Sequence, residues 1–353
     1  MTTQQGSILS MSRARLAAGA GLAGRAGLAA RAGLAALVMT LGGAQMGRAQ
    51  DLTVVRIGMP AAVNTMLAMW MAEDAGFYKA QGIKAEFRTV AGGSQGGAMI
   101  QSGEIDVMQS GLSTVVNVNR GGGDIRLIGS LSNVIRFTFF AAPGVTPADL
   151  KGAVVAVSTF GSESDATVTM ALEKLGLTRG DVIVQEFGGG PQRIAALKSG
   201  AAKATSLNEP TATLAREQGF AVLADLVPDR VPWLFSGIVV KASRLKDSRD
   251  LLARFLKATI EGNYLAVTDE ARAKTVLARQ LKITDARIVD ATYADFKGQT
   301  PPNVEPAKAA IDAILAQARE GRRNAADYVD SSLLEELKAA GFFEAMARKY
   351  PGR

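Results

Sequence analysis

The phrase GGSQGGAMIQSG, which runs from Gly92 to Gly103, returns later in the chain as GGPQRIAALKSG, from Gly189 to Gly200. Six positions of the two copies are identical without a gap. Each copy follows a short apolar and β-branched run, KAEFRTVA or VIVQEF, and leads into another short run, IDVMQ or ATSL. The same order of strand, glycine turn, short helix and strand is therefore predicted at two places in the sequence. This repetition predicts two similar α/β lobes with a ligand-binding cleft between them.

The first 49 residues have the features of a signal peptide. Several arginines precede an apolar stretch over residues 32–46, and Gly47-Arg48-Ala49 places small residues at both positions that a signal peptidase needs. We expect cleavage after Ala49 and export to the periplasm, with either Met1 or Met11 as the start. An arginine-rich organelle transit peptide is the alternative. The apolar stretch is too short to predict a membrane span, so we expect no stable membrane anchor.

The charge of the chain gives no indication of nucleic-acid binding. The formal net charge is +7, but five arginines lie in the leader and would be lost with it. No basic stripe with interleaved aromatic residues follows. We therefore expect a small-molecule ligand rather than a nucleic acid.

Two residue types are missing, and their absence excludes several classes of protein. The chain contains no Cys, so disulfides, thiol catalysis and a lipid anchor on an N-terminal Cys are excluded. It contains no His, which excludes Ser-His and Cys-His nucleophile pairs and ordinary transition-metal sites. No phosphate loop of the form GxxxxGKS or GxxxxGKT occurs, so ATP hydrolysis must belong to another chain. We expect a protein that is not an enzyme, without catalytic residues, metal or cofactor.

Alternating strand and helix patterns predict an α/β fold with parallel sheets covered on both faces. After Val231 the pattern changes to one strand, VPWLFSGIVVK, followed by helices predicted over residues 285–296, 306–320 and 332–350. These helices need a sheet to cover, which predicts a return of the chain to the first lobe. We assign residues 50–142 and 239–353 to the first lobe and residues 143–238 to the second. The two lobes are joined by a two-strand hinge with crossings near residues 142 and 238.

Six loops are expected at the carboxyl ends of the strands, where open α/β sheets bind ligands because the N–H groups at helix starts are unpaired. They lie at residues 61–65, 92–94, 110–113, 159–164, 188–190 and 208–209. Their small and hydroxyl residues, with Gly189 among them, suit a carboxylate, a sulfonate or a similar anion. The alternative is that these Gly and Ser residues simply form turns and caps.

Three further side chains are candidates for specificity, and each has a structural alternative. Arg136 opens a predicted crossing strand and either forms a bidentate pair with an anion or is an exposed strand-end residue. Glu209 precedes a helix, where the dipole stabilises a carboxylate with or without a ligand. Trp233 either forms a flat wall for an apolar ligand or packs at the hinge. The methionines predicted to lie in the core rather than in the pocket are Met59, Met66, Met69 and Met71.

Two runs carry a family resemblance, MPAAVNTMLAMWMAEDAGFYKAQGIKAEF from Met59 and VAGGSQGGAMIQSGEIDVMQSG from Val90. They resemble the solute-binding proteins of ABC importers in the nitrate, sulfonate, taurine and pyrimidine-precursor group, over a region from Val54 to about Lys241. The resemblance implies a type II periplasmic-binding-protein fold that closes on a small anionic solute and delivers it to a permease with a separate ATPase subunit. We expect a monomer. The solute contacts that the resemblance implies are Asn64, Thr65, Gly93, Ser94, Ser110, Phe160, Gly161, Ser162 and Asn208.

One departure from the group concerns the second lobe. Members often have Ser-Gly-x-Ile/Val-Asp-Ala where this chain has Ser199-Gly200-Ala201-Ala202-Lys203-Ala204, so an amine replaces a usual carboxylate.

Two alternative functions stay open. An enzyme similar to the eukaryotic pyrimidine synthases shares the fold, but those enzymes use an active-site His that this chain lacks. A sensor that binds a solute and signals through a receptor has the same sequence features as an importer component.

Overall fold

The computed structural model of the protein describes residues 52–59, 63–90, 92–318 and 324–352. The predicted signal peptide, its cleavage site after Ala49 and the alternative start at Met11 lie outside these ranges. The first two residues of the predicted 61–65 loop also lie outside them.

Two five-stranded sheets organise the chain, one in each lobe. The strands are β1 (Thr53–Met59), β2 (Ile83–Thr89), β3 (Val107–Ser110), β4 (Ile125–Val134), β5 (Thr138–Ala141), β6 (Val154–Val157), β7 (Ile183–Glu186), β8 (Ala204–Leu207), β9 (Ala221–Asp225) and β10 (Pro232–Lys241). The first sheet has the order β2-β1-β3-β10-β4 and the second has the order β7-β6-β8-β5-β9. The first three strands of each sheet pair in parallel, and the fourth in order is antiparallel to both of its neighbours, so four of the five strands run in the same direction. The matching orders confirm the prediction of two similar α/β lobes.

The helices are α1 (Leu67–Asp74), α2 (Phe77–Ala80), α3 (Gly93–Ser102), α4 (Leu112–Arg120), α5 (Glu163–Lys174), α6 (Gly190–Ser199), α7 (Thr211–Glu217), α8 (Arg244–Asp247), α9 (Arg249–Thr268), α10 (Glu270–Leu281), α11 (Ala286–Gln299), α12 (Lys308–Gln317), α13 (Ser332–Ala339) and α14 (Phe342–Lys349). Helices α1 to α7 lie between strands in the sequence, and α8 to α14 follow the last strand, β10. The repeated glycine phrase forms α3 in the first lobe and α6 in the second. The segment predicted as helical over residues 332–350 forms two helices, because Gly341 between them has a left-handed backbone with φ 72°.

Two connections join the lobes, and they run side by side. Residues 135–137 lead from β4 to β5, and residues 226–231 lead from β9 back to β10. The N–H of Ile135 donates to the carbonyl of Val231 at 3.0 Å, and the N–H of Leu226 donates to the carbonyl of Phe137 at 3.1 Å. The paired connections form the predicted two-strand hinge.

The positions of the connections differ from the predicted crossings near residues 142 and 238. Strand β5 pairs only within the second sheet, and β10 pairs only within the first. The turn signal at Pro143 marks the end of a strand that has already crossed, and a hydrophobic pattern does not say to which sheet a strand belongs. We therefore propose lobe boundaries at residues 135–137 and 226–231.

The core of the first lobe is built around α1, whose first six residues are all buried. The methionines predicted for the core are found there, with Met66, Met69 and Met71 buried and Met59 packed against them. Helix α9 lies against α1, and Gly262 permits the close approach. A Cβ atom at Gly262 would lie 2.3 Å from the backbone carbonyl oxygen of Ala68.

In the described part of the chain, no helix combines the length and apolar content needed to cross a bilayer.

Candidate functional site

A cavity of about 920 Å³ lies where the carboxyl ends of the parallel strands of both lobes face each other. Its walls are the segments that follow β2 and β3 in the first lobe and β6, β7 and β8 in the second, and residues 281–285 close one side. This is the place where open α/β sheets bind ligands. The predicted contact residues that line the cavity are Gly93, Ser110, Ser162, Gly189, Asn208 and Glu209.

Three predicted contact residues line a separate, smaller cavity. Ser94, Phe160 and Gly161 border a groove of about 320 Å³ formed by α3, α4 and the loop before α5. The amide of Asn117 on α4 donates to the carbonyl of Gly161 at 2.7 Å, which connects the two lobes. The structure therefore places these residues at the edge of the contact between lobes, outside the main cavity.

Asn64 and Thr65 are buried and support the cavity without lining it. The hydroxyl of Ser236 donates to the Thr65 hydroxyl at 3.1 Å and accepts from the amide of Gln109 at 2.5 Å. Gln109 lines the cavity and was not predicted as a contact. Thr65 therefore acts on the cavity wall through Ser236 and Gln109.

Arg136 does not line the cavity, because its guanidinium forms an ion pair with Asp295 on α11. The same carboxylate accepts from the amide of Asn64 at 2.7 Å and from the amide of Gln299 at 2.6 Å. The charge of Arg136 is neutralised within the protein. Arg136 thus fastens the connection between the lobes to α11, so neither alternative offered by the sequence describes its position.

Glu209 lines the cavity and also caps α7. Its carboxylate accepts from the N–H of Thr213 at 3.3 Å and from the guanidinium of Arg216 at 3.4 Å. The two alternatives stated for Glu209, a position beside the ligand and a structural role at a helix start, are compatible in this geometry.

Trp233 is buried with its indole N–H directed at a carboxylate that the sequence did not single out. The indole donates to Glu163 Oε2 at 2.5 Å, and Ser113 donates to Glu163 through its backbone N–H (2.9 Å) and its hydroxyl (3.0 Å). Glu163 lines the cavity. Gly111 makes room for it, because a Cβ atom there would lie 2.2 Å from Glu163 Oε1. Trp233 therefore positions a cavity-lining group instead of forming the wall itself.

Burial raises the pKa of Glu163 to about 7, although the hydrogen bonds from Trp233 and Ser113 act in the opposite direction. Because the carboxyl group is more easily ionised in the unfolded chain, its contribution to stability is complete below the unfolded pKa of 4.5 and is lost as the pH rises through 7.

We expect the free energy of unfolding to fall between about pH 4.5 and pH 7, the unfolded and folded pKa values of Glu163, and to level off above pH 7. The slope within this range is at most about 1.4 kcal/mol per pH unit. Urea titrations followed by tryptophan fluorescence measure this change. The Glu163→Gln variant provides the comparison because its side chain cannot ionise, and its slope should be clearly smaller. Burial also raises the pKa of Glu73, so the difference between the two proteins is the informative quantity. Equal slopes would contradict the assignment of this titration to Glu163.

Arg193 supplies a buried positive charge to the cavity. It lies on α6, lines the cavity and is 4% exposed. Its guanidinium donates to the carbonyls of Gly188, at 3.1 Å, and Ser206. Among the described residues no carboxylate is its partner, and burial lowers its pKa only to about 10, so it stays charged at neutral pH. A buried cation without a counter-ion is costly unless an anion reaches it.

The two copies of the glycine phrase form equivalent parts of the cavity wall. In the first lobe, a Cβ atom at Gly93 would lie 2.5 Å from the hydroxyl of Thr114, at the start of α4. In the second lobe, a Cβ atom at Gly190 would lie 2.6 Å from the methyl carbon of Thr211, at the start of α7. The second glycine of each phrase thus lets one helix start approach the next, and both threonines line the cavity.

Apolar side chains form much of the remaining wall. Phe137 and Phe235 meet edge to face with ring centroids 5.2 Å apart, and Phe187, Leu214 and Ile288 also border the space. No cluster of three or more acidic residues suited to a metal ion occurs within the described ranges. The cavity therefore combines a buried cation with an apolar interior.

Two α/β lobes with matching sheets, a paired hinge and a cavity between the strand ends define the periplasmic-binding-protein fold. Residues 63–273, more than half of the chain, match the family model described as NMT1/THI5 like. The chain belongs to this family. A comparison with curated protein sequences gave no match.

Three solved structures show the same fold at low sequence identity. The nitrate-binding protein NrtA from Synechocystis PCC 6803 has a TM-score of 0.68 and 15% identity, covering 86% of this chain and 92% of its own. The alkanesulfonate-binding protein SsuA from Xanthomonas axonopodis pv. citri, bound to MOPS, has a TM-score of 0.64 and 20% identity, covering 76% and 92%. A DSZB variant in complex with biphenyl-2-sulfinic acid has a TM-score of 0.58 and 18% identity, covering 84% and 99%.

Proposed function

We propose that this protein is the exported solute-binding component of an ABC importer, and that it captures an organic anion such as a sulfonate or a carboxylate. It acts in the periplasm as a monomer and delivers its solute to a membrane permease with a separate ATPase subunit. It needs no metal or cofactor and performs no catalysis. The observation that carries the proposal is the buried charge of Arg193 in the wall of the cavity between the lobes.

The position of Arg193 suits an anion for two reasons. Its cationic group has carbonyl partners but no carboxylate partner among the described residues, so a ligand anion would supply the missing negative charge. Arg193 also belongs to the first turn of α6, where the N–H groups and the helix dipole favour negative charge. We propose that the acidic group of the solute binds there.

The size and lining of the cavity favour an organic solute over a compact inorganic anion. Pockets for organic ligands span about 300 to 1,000 Å³ and are largely apolar, and this cavity has a volume of about 920 Å³ with several phenylalanines in its wall. The residues that we propose as direct ligand contacts are Gly93, Gln109, Ser110, Ser162, Gly189, Arg193, Asn208 and Glu209.

Binding without chemistry agrees with the residues available. The chain has no His or Cys to act as a general base or a nucleophile near neutral pH. NrtA and SsuA are binding proteins by name, whereas DSZB shares the fold without that description. The fold alone therefore does not decide between a binding protein and an enzyme. Incubation with a bound anion, followed by mass spectrometry of the recovered ligand, tests whether the protein leaves its solute chemically unchanged. An altered ligand would contradict the proposal of binding without catalysis.

A thermal-shift experiment tests anion capture. We expect benzenesulfonate, hexanesulfonate or benzoate to raise the melting temperature, because a ligand that binds only the native state stabilises it by about 2.7 kcal/mol at 100 times its dissociation constant. Benzamide is the matched neutral control for benzoate and should produce no shift. If no anion in this set raised the melting temperature, the proposal would be wrong. Co-purification with an ABC permease, rather than with a signalling receptor, separates the importer from the sensor.

A further inference from the structure

Glu163 reaches from the second lobe into the first. It is the first residue of α5, and its carboxylate accepts from the N–H and the hydroxyl of Ser113 in the first turn of α4. The indole of Trp233 on β10 is the third donor. Since α4 and β10 belong to the first sheet and its helices, this carboxylate lies at the junction of the lobes.

The donors that Glu163 occupies are the ones that a ligand anion would use at this helix start. Gly111 precedes α4, and a Cβ atom there would lie 2.2 Å from Glu163 Oε1 and 2.5 Å from the carbonyl oxygen of Phe235. The backbone is thus shaped around the carboxylate. In the first lobe, the protein itself fills the anion position that the sequence predicted for residues 110–113.

The second lobe presents the opposite situation. At the start of α6, Arg193 carries a buried positive charge and has no carboxylate partner among the described residues. Within the described part of the chain, Glu163 bonds to Ser113 and Trp233, and Arg193 bonds to carbonyl groups, so the two charged side chains are not partners of each other. Of the charged residues in the cavity wall, Glu163 and Arg193 are the buried ones, and they place a negative group at one position and a positive group at another.

We propose that Glu163 is a specificity-determining residue that gives the cavity a direction and selects organic monoanions over dianions. The single acidic group of the solute binds beside Arg193 in the second lobe, and its apolar body extends towards Phe137 and Phe235. A second acidic group at the far end of the solute would meet the carboxylate of Glu163, which repels it and already occupies the available donors. This inference rests on the proposed capture of an organic anion.

The preference for monoanions can be tested by changing the pH, because few charged groups surround Glu163. Ser113 and Thr114 on α4 and Trp233 and Phe235 on β10 face it without charge, and the nearest acid on its own helix, Asp165, is engaged with Gly161 N–H and Arg179. The other charged residues of the cavity wall are Arg193, Glu209, Lys282 and Asp285. The pKa of Glu163 is about 7, whereas Arg193 stays cationic to about pH 10.

Calorimetric titration with benzenesulfonate and benzene-1,3-disulfonate tests the proposal, because neither probe changes its charge between pH 6 and pH 8. For the wild-type protein at pH 8 we expect the disulfonate to bind at least ~10-fold more weakly than the monosulfonate. At pH 6 the neutral carboxyl group should reduce this difference several-fold. Glu163→Gln should reduce it at both pH values, and Glu173→Gln, at an exposed position of the same helix, should behave like the wild type.

The outcomes separate this inference from the proposed function. Equal affinity of the wild-type protein for the two probes, or a preference independent of pH and unchanged in Glu163→Gln, would overturn the role of Glu163 and leave anion capture intact. Absence of binding by both probes at both pH values would overturn anion capture and this inference together. The wild-type comparison needs no variant, so a folding defect in Glu163→Gln would not remove the test.

Discussion

Replacing Gly262 with alanine is expected to lower the free energy of unfolding by about 3 kcal/mol, at the upper end of the range for overpacked cores. The added Cβ atom would lie 2.3 Å from the carbonyl oxygen of Ala68 and 2.7 Å from the backbone nitrogen of Ala72. Both atoms belong to the backbone of α1, which cannot turn aside as a flexible side chain would. The helices α1 and α9 must therefore separate, and the buried contacts between them are weakened.

Gly298→Ala is the matched control for this variant. Gly298 also lies in a helix, α11, but apart from its chain neighbours and the backbone of its own helix no atom lies within 4 Å of the position that its Cβ would take. Alanine should stabilise that helix by about 0.5–1 kcal/mol because it restricts the unfolded chain more than glycine does. Urea titrations of both variants give the two free energies of unfolding. A loss of less than 1 kcal/mol in Gly262→Ala would show that the packing of α1 and α9 is looser than described.

Replacing Arg193 with methionine is expected to weaken the binding of an anionic solute at least ~100-fold. Removal of one partner of a buried, hydrogen-bonded charge pair costs about 2 to 5 kcal/mol, and each 1.4 kcal/mol corresponds to about a factor of ten in the dissociation constant. Methionine preserves much of the apolar length of arginine but donates no hydrogen bond. The variant also loses the bonds to the carbonyls of Gly188 and Ser206, so affinity must be measured well below its melting temperature.

Lys198→Met is the control for Arg193→Met. Lys198 lies near the end of the same helix and is exposed, so its replacement removes one positive charge from α6 without touching the cavity. Calorimetry with benzenesulfonate should give an affinity close to that of the wild type for Lys198→Met. If both variants lost affinity equally, the general charge of the second lobe, and not the position of Arg193, would explain the attraction.

The lobes were predictable because their signal is local and occurs twice. Strand, glycine turn and helix lie next to each other in the sequence, so the repeated phrase indicates the equivalent helices α3 and α6 without any knowledge of long-range contacts. The sheet to which each strand beside the hinge belongs has no such local signal. Membership of Thr138–Ala141 in the second sheet depends on pairing with residues more than sixty positions away, and no local pattern encodes that.

The glycine loops of the cavity were also predictable, but its two buried charges were missed. Glu163 stands one residue after a serine at a helix start, where an acid is common for reasons of capping alone. Arg193 could have been found from the sequence, because it occupies the position that Gly96 holds in the first copy of the repeated phrase. A basic residue at a repeat position that must be buried indicates a charge with a function, and comparison of the two copies position by position would have found it.

The order of strands in the first sheet also constrains how the chain can fold as it is synthesised. Strand β10 lies between β3 and β4, so β4 has no neighbour in its own sheet until residues 232–241 have been made. All strands of the second sheet, by contrast, lie within residues 138–225. The first lobe, although it begins the described chain, is thus the last to be completed. During synthesis the edges of β3 and β4 that will contact β10 stay unpaired, while the second lobe can already form its complete sheet.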